Sequence, residues 1–62
     1  MIESRQKFLK IYADIPLGLR TDIVAVLDDV GPISWNTAYV EIENETDVGK
    51  AILSKLAQME II

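Results

Sequence analysis

Acidic side chains are the main groups in this sequence that could do chemistry. Ten Asp and Glu residues stand against six Lys and Arg residues among 62, and histidine and cysteine are absent. Without those two residue types the chain has no imidazole proton shuttle, no thiol nucleophile and no ordinary zinc site. Any acid–base or metal chemistry would therefore have to come from carboxylates and lysines.

Two groups of carboxylates can be tested against known chemistry. Asp28 or Asp29 could face Glu41 across a turn, as paired catalytic acids do, but so short a chain has little room for a substrate pocket of about 300 Å³ or more. The alternating acids that begin at Glu43 do not continue as a calcium-binding EF-hand loop, which needs Gly at its sixth position and Glu at its twelfth. The sequence predicts no catalytic residue, no metal site and no cofactor.

Gly49 and Lys50 form the dipeptide of a phosphate-binding loop, but the rest of that motif is missing. The motif needs Gly five residues before Gly49 and Ser or Thr after the lysine, where this chain has Asn44 and Ala51. Gly49 is instead expected to let a neighbouring element approach the start of a helix closely. A lysine nucleophile would need desolvation, and nothing marks Lys50 or Lys55 as buried. We therefore expect neither an enzyme nor a small-molecule substrate.

The charges are unevenly distributed along the chain. Residues 21–49 carry seven acids and no base, residues 1–20 carry a small excess of bases, and the net charge is −4. An acidic surface repels phosphate backbones and attracts basic partners. The predicted partner-binding residues come from this acidic segment and from the apolar C-terminus: Asp28, Asp29, Glu41, Glu43, Glu45, Asp47, Ile61 and Ile62.

Nucleic-acid binding is the alternative function. The N-terminal segment offers Arg5, Lys7 and Lys10, and residues 47–58 could be the recognition helix of a helix-turn-helix. Acidic residues at the start of that helix would then lie nearest the phosphates and oppose binding. Electrostatics favour a protein partner.

Two segments have clear amphipathic helical patterns. Apolar residues recur at i, i+3 and i+4 in residues 4–14 and 47–58. Ser4 and Thr46 are the predicted N-caps. Pro16 ends the first helix because proline disfavours helical geometry at the residue before it. Both segments are predicted to be helices.

The middle of the chain fits more than one structure. Residues 22–28 hold a run of β-branched residues followed by turn residues through Pro32, which favours a strand, although their apolar spacing also fits a helix. Residues 34–44, with Ser34 as N-cap, fit a helix. Residues 33–43 also alternate as a strand would, which would make residues 22–43 a β-hairpin.

The predicted fold is therefore a small α+β domain over residues 1–62. It has helices at 4–14, 34–44 and 47–58, a strand at 22–28 and a further short strand at 60–62 as an option. An all-α bundle, or a helix–β-hairpin–helix with 33–43 as strand, are the alternatives. Trp35 is predicted at the centre of the core, and Arg20 is predicted to pair with an acid of the middle segment.

The apolar content suggests association. Half of the residues are hydrophobic, and a chain this short without disulfide or metal gains little net stability from its own core. One small core has no room for all of Val24, Val30, Val40, Ile61 and Ile62. We therefore predict a homodimer or a docking surface for a protein partner.

The N-terminus reads as neither an export signal nor a membrane segment. Charged residues begin at Glu3, whereas a signal peptide needs an apolar region of about 7–15 residues. The longest unbroken apolar run, residues 23–27, is far shorter than the roughly 20 residues that span a bilayer. The expected location is the cytoplasm.

Overall fold

Three helices and one β-hairpin make up residues 2–62, the part of the chain that the computed structural model describes; Met1 lies outside it. The elements in chain order are α1 (Ile2–Asp14), a 3-10 turn (Leu17–Leu19), β1 (Ile23–Leu27), β2 (Gly31–Ser34), α2 (Trp35–Glu43) and α3 (Asp47–Gln58). This confirms the predicted α+β fold and its three helices. It is neither an all-α bundle nor a hairpin with residues 33–43 as its second strand.

α1 ends where the sequence predicts but starts earlier. Its last helical residue is Asp14, two residues before Pro16, and the Ile15 N–H still donates to the Ile11 carbonyl at 3.1 Å. Ser4 lies within the first turn of the helix instead of at its N-cap, because α1 already includes Ile2. The predicted start at residue 4 was therefore too late.

Side-chain caps begin the other two helices. The Ser34 hydroxyl accepts a hydrogen bond from the Thr37 N–H at 3.1 Å, and the Thr46 hydroxyl accepts one from the Gly49 N–H at 3.0 Å. Each cap satisfies one backbone donor that the first turn of a helix leaves without a partner. The predicted N-caps Ser34 and Thr46 are confirmed, whereas Ser4 is not a cap.

α2 ends in a tight turn with one residue in the left-handed region. Glu45 has φ 54°, its N–H donates to the Ile42 carbonyl, and the Thr46 N–H donates to the Glu41 carbonyl, both at 3.1 Å. This pair of bonds is a Schellman motif, which satisfies the last carbonyls of a helix. Thr46 therefore caps both helices: its backbone N–H donates to a carbonyl at the end of α2, and its side-chain hydroxyl accepts from an N–H at the start of α3.

The optional C-terminal strand at residues 60–62 does not form, because α3 ends in the same motif. Glu60 has φ 59°, and the Ile61 N–H turns back to donate to the Leu56 carbonyl at 3.0 Å. That turn directs the chain back along its own helix. Residues 61 and 62 have no regular secondary structure.

The β-hairpin contains a strand that the sequence did not predict. β1 pairs antiparallel with β2, with Ala25 opposite Ile33 and Val26 opposite Pro32. Gly31 was expected to belong to a turn, but it starts β2 with φ +95°, a conformation that glycine adopts at little cost. The strand is short because Ser34 caps α2 directly after it.

The hydrophobic core lies where α2, α3, α1 and one face of the hairpin meet. α2 and α3 pack against each other, and β1 lies against α3. The largest fully buried side chains are Phe8, Ile42, Ile52 and Leu56. The remaining buried apolar residues are Ala25, Ile33, Ala38 and Leu53.

α2 and α3 approach each other closely at Gly49. A Cβ atom built on Gly49 would lie 2.7 Å from the Glu41 carbonyl carbon and 3.0 Å from the Ile42 Cα. These are backbone atoms and have no freedom to move aside. The predicted role of Gly49 as a point of close approach is confirmed.

We expect Gly49→Ala to destabilise the protein by about 1–3 kcal/mol through this overlap, although alanine is the better helix former. The control is Gly18→Ala, because a Cβ atom at Gly18 meets nothing within 4 Å. Urea denaturation followed by circular dichroism measures both variants. Gly49→Ala as stable as the wild type would show that the helices can separate without cost.

We expect Glu45→Gly to stabilise the protein by about 0.5–1 kcal/mol, because a side chain in the left-handed region carries a steric cost that glycine avoids. The matched control is Glu3→Gly in α1, where glycine should destabilise the helix. Thermal denaturation provides the comparison. A lower melting temperature for Glu45→Gly would contradict the strained-turn interpretation.

Candidate functional site

The predicted acidic residues lie in different local settings. Glu43 binds Arg5 across the α1–α2 interface, with Arg5 Nη2 3.0 Å and 3.3 Å from its two carboxylate oxygens. Glu41 accepts a hydrogen bond from the Thr46 hydroxyl at 2.8 Å. Glu45 occupies the strained turn between α2 and α3. The carboxylates of Glu41 and Glu43 are therefore engaged within the fold, whereas Glu45 takes part in the turn through its backbone.

Asp29 and Asp47 are the two predicted acids that the fold brings together. Asp29 lies in the hairpin turn and Asp47 in the first turn of α3. Both line a shallow groove of about 270 Å³ between these elements. Asp28, the neighbour of Asp29 in the turn, does not line it. We call this feature the acidic groove; its lining is Leu27, Asp29, Val30, Asp47, Val48 and Ala51.

Four of the six lining residues are apolar, namely Leu27, Val30, Val48 and Ala51, and we call them the floor of the acidic groove. We call the two exposed aspartates, Asp29 and Asp47, its rim. Val30 is exposed, and Leu27 and Val48 are half-buried, each packing partly against the core. Asp47 lies in the first turn of α3, where the helix dipole favours a negative charge. The groove therefore combines an apolar surface with two carboxylates at its rim.

The outer side of the β-hairpin forms a second exposed surface. Residues directly opposite each other on paired strands share a face, so Val26 and Pro32 point away from Ala25 and Ile33. A bulge at Val24 turns Ile23 to that same side, and Ile23 and Val26 are 54% and 56% exposed. We call Ile23, Val26 and Pro32 the outer hairpin face.

The apolar residues judged too numerous for one core divide into two groups. Val24 and Ile62 pack partly against the core. Val30, Val40 and Ile61 remain exposed. Of the two C-terminal residues predicted to bind a partner, Ile61 is thus the one left on the surface. The 3-10 turn adds two further exposed residues, Leu17 and Leu19.

Trp35 and Arg20 lie in other environments than the sequence suggested. Trp35 is partly buried at the edge of the core, with its ring 5.8 Å from the ring of Phe8, which takes the central position instead. Arg20 stacks on the Tyr12 ring at 4.4 Å and donates to the Tyr12 carbonyl. Stacking on an aromatic ring suits the flat guanidinium group, and it replaces the predicted pairing with an acid.

Two of the three N-terminal cations form ion pairs, one within α1 and one with α2. Arg5 is paired with Glu43, and Lys7 lies 3.5 Å from Glu3 one turn earlier. Of the three bases considered for nucleic-acid binding, Lys10 alone forms no ion pair with the described residues.

No buried charge is found among residues 2–62, and no group of three potential metal ligands is found there either. Within the same range no helix is long and apolar enough to cross a membrane. Comparison with protein-family models, with curated proteins and with solved structures found no match.

The acids of the groove, Asp29 and Asp47, were among the predicted partner-binding residues. The apolar floor of the groove and the outer hairpin face were not predicted. Val30 had been noted only as surplus to the core. Pairing of Val26 with Pro32 could not be expected while Pro32 was assigned to a turn. The one usable signal was the excess of apolar residues over the room in a small core.

We expect the Arg5–Glu43 ion pair to help hold α1 against α2. Because each side chain is 35% exposed, we expect a coupling free energy of about 0.5–1 kcal/mol that falls as salt rises. A double-mutant cycle with Arg5→Ala and Glu43→Ala, measured by urea denaturation, gives this value. The exposed pair Lys7–Glu3 is the control and should couple more weakly. Equal coupling for both pairs would contradict a specific role for Arg5.

Proposed function

We propose that this chain is a small, non-enzymatic protein-interaction module of the cytoplasm that associates with a second copy of itself through the outer hairpin face. The observation that carries the proposal is the exposure of Ile23 and Val26 on a two-stranded sheet that α2 and α3 cover on one side only. Exposed apolar residues that share a face mark sites of association.

The chemistry of the outer hairpin face supports a second copy as its partner. Its side chains carry no charge, so two identical faces can meet without burying like charges, although each chain has a net charge of −4. Two-fold interfaces are the commonest way in which soluble chains self-associate. A two-stranded hairpin is also marginal by itself, and a partner that covers it adds stability.

We expect light scattering after size-exclusion chromatography to give a mass about twice 6.9 kDa at high concentration. Val26→Lys should weaken dimerisation about tenfold or more, because a buried apolar side chain contributes about 1.5–3 kcal/mol. Val40→Lys is the matched control: Val40 is 50% exposed, lies on α2, and receives the same charge change. Circular dichroism checks that both variants fold.

The salt dependence gives a second readout of the same prediction. Salt screens the repulsion between two acidic chains, so dimerisation should strengthen as ionic strength rises. A wild-type chain that stays monomeric at every concentration would overturn the proposal. So would loss of the dimer in Val40→Lys with the dimer intact in Val26→Lys.

A further inference from the structure

The acidic groove lies outside the outer hairpin face and presents different chemistry. Its apolar floor is formed by the side chains at the end of β1, in the hairpin turn and on α3, and its rim carries Asp29 and Asp47. We propose that the acidic groove binds a basic segment of another protein, with an apolar side chain in the groove and lysine or arginine at its rim.

Charge complementarity carries this proposal. Seven acids and no base occur in residues 21–49, and both acids of the groove belong to that segment. Within residues 2–62, the ion pairs are Arg5–Glu43 and Lys7–Glu3. The carboxylates of Asp29 and Asp47 therefore remain available to an external cation. Lys50, the nearest base in α3, is exposed and does not line the groove.

The size and polarity of the acidic groove favour side chains of another protein over a small molecule, a phosphate group or a second copy of this chain. Its volume of about 270 Å³ is below the roughly 300–1,000 Å³ of small-molecule pockets, which suits one or two side chains. Phosphate groups would be repelled by the carboxylates. A second copy of this chain is a poor occupant, because its net charge of −4 opposes its approach to an acidic surface.

The experiment uses the intact protein and a short fluorescein-labelled peptide in which lysine alternates with leucine, followed by fluorescence anisotropy. One control peptide replaces leucine with serine and another replaces lysine with glutamate. We expect binding of the lysine–leucine peptide alone, with affinity falling as salt rises. Amide shifts in a nuclear magnetic resonance titration should concentrate on the lining residues of the groove.

Matched variants distinguish binding at the groove from attraction of the peptide by the net negative charge of the protein. Asp29→Asn and Asp47→Asn should each weaken binding about threefold, as expected for partly exposed ion pairs. Asp14→Asn, at the end of α1, makes the same charge change away from the groove and should leave the affinity unaltered. An equal loss in Asp14→Asn would show that net charge alone attracts the peptide and would overturn the proposal.

A larger side chain at a lining position tests whether the apolar floor of the groove contributes to peptide binding. Ala51→Leu should weaken peptide binding more than about tenfold, because the leucine of the peptide loses its place. Ala57→Leu, at an exposed position of the same helix that does not line the groove, should have no effect. Binding that is unchanged in Ala51→Leu, absent for all peptides, or mapped to the outer hairpin face would overturn the proposal.

These results are distinguishable from those for self-association. Peptide binding is expected to weaken with salt, whereas dimerisation is expected to strengthen. Val26→Lys should disrupt the dimer and leave the groove intact, since Val26 lies on the opposite side of the hairpin from Leu27. Failure of either proposal therefore leaves the other standing.

Discussion

The turn between α2 and α3 is the contact on which the rest of the fold depends. The Glu41 carbonyl accepts the Thr46 N–H, the Thr46 hydroxyl accepts the Gly49 N–H, and the backbone of Gly49 lies against Glu41. These contacts join residues that are close in sequence and hold the two helices against each other. Their buried side chains, Ile42 of α2 and Ile52 and Leu56 of α3, then form the surface that receives Phe8 and the inner face of the hairpin.

The same arrangement explains why two kinds of surface are left exposed. Two short helices can cover one side of a two-stranded hairpin but not both, so Val26 and its neighbours face outward. The hairpin turn projects beyond the sheet toward the first turn of α3, where Asp47 is stabilised by the helix dipole. One surface is thus apolar without charge and the other is apolar with an acidic rim, and this difference in chemistry suggests different partners.

Local patterns predicted much of this structure, whereas features that depend on distant contacts were missed. Helical spacing, the caps Ser34 and Thr46 and the stop before Pro16 act within a few residues, so they can be recognised in the sequence. β2 could not, because Gly31 and Pro32 are typical turn residues that become a strand only by pairing with β1. The acidic groove likewise requires the hairpin turn to lie beside α3, a placement that no local pattern specifies.

The contact between Trp35 and Phe8 gives the molecule a built-in optical probe. Trp35 is the chain's one tryptophan and the first residue of α2. Its ring lies 5.8 Å from the ring of Phe8 in α1. α1 is tied to the remainder through Phe8, the stack of Tyr12 on Tyr39 and the Arg5–Glu43 pair. The intrinsic emission of Trp35 would therefore report on the packing of α1 against the rest of the molecule.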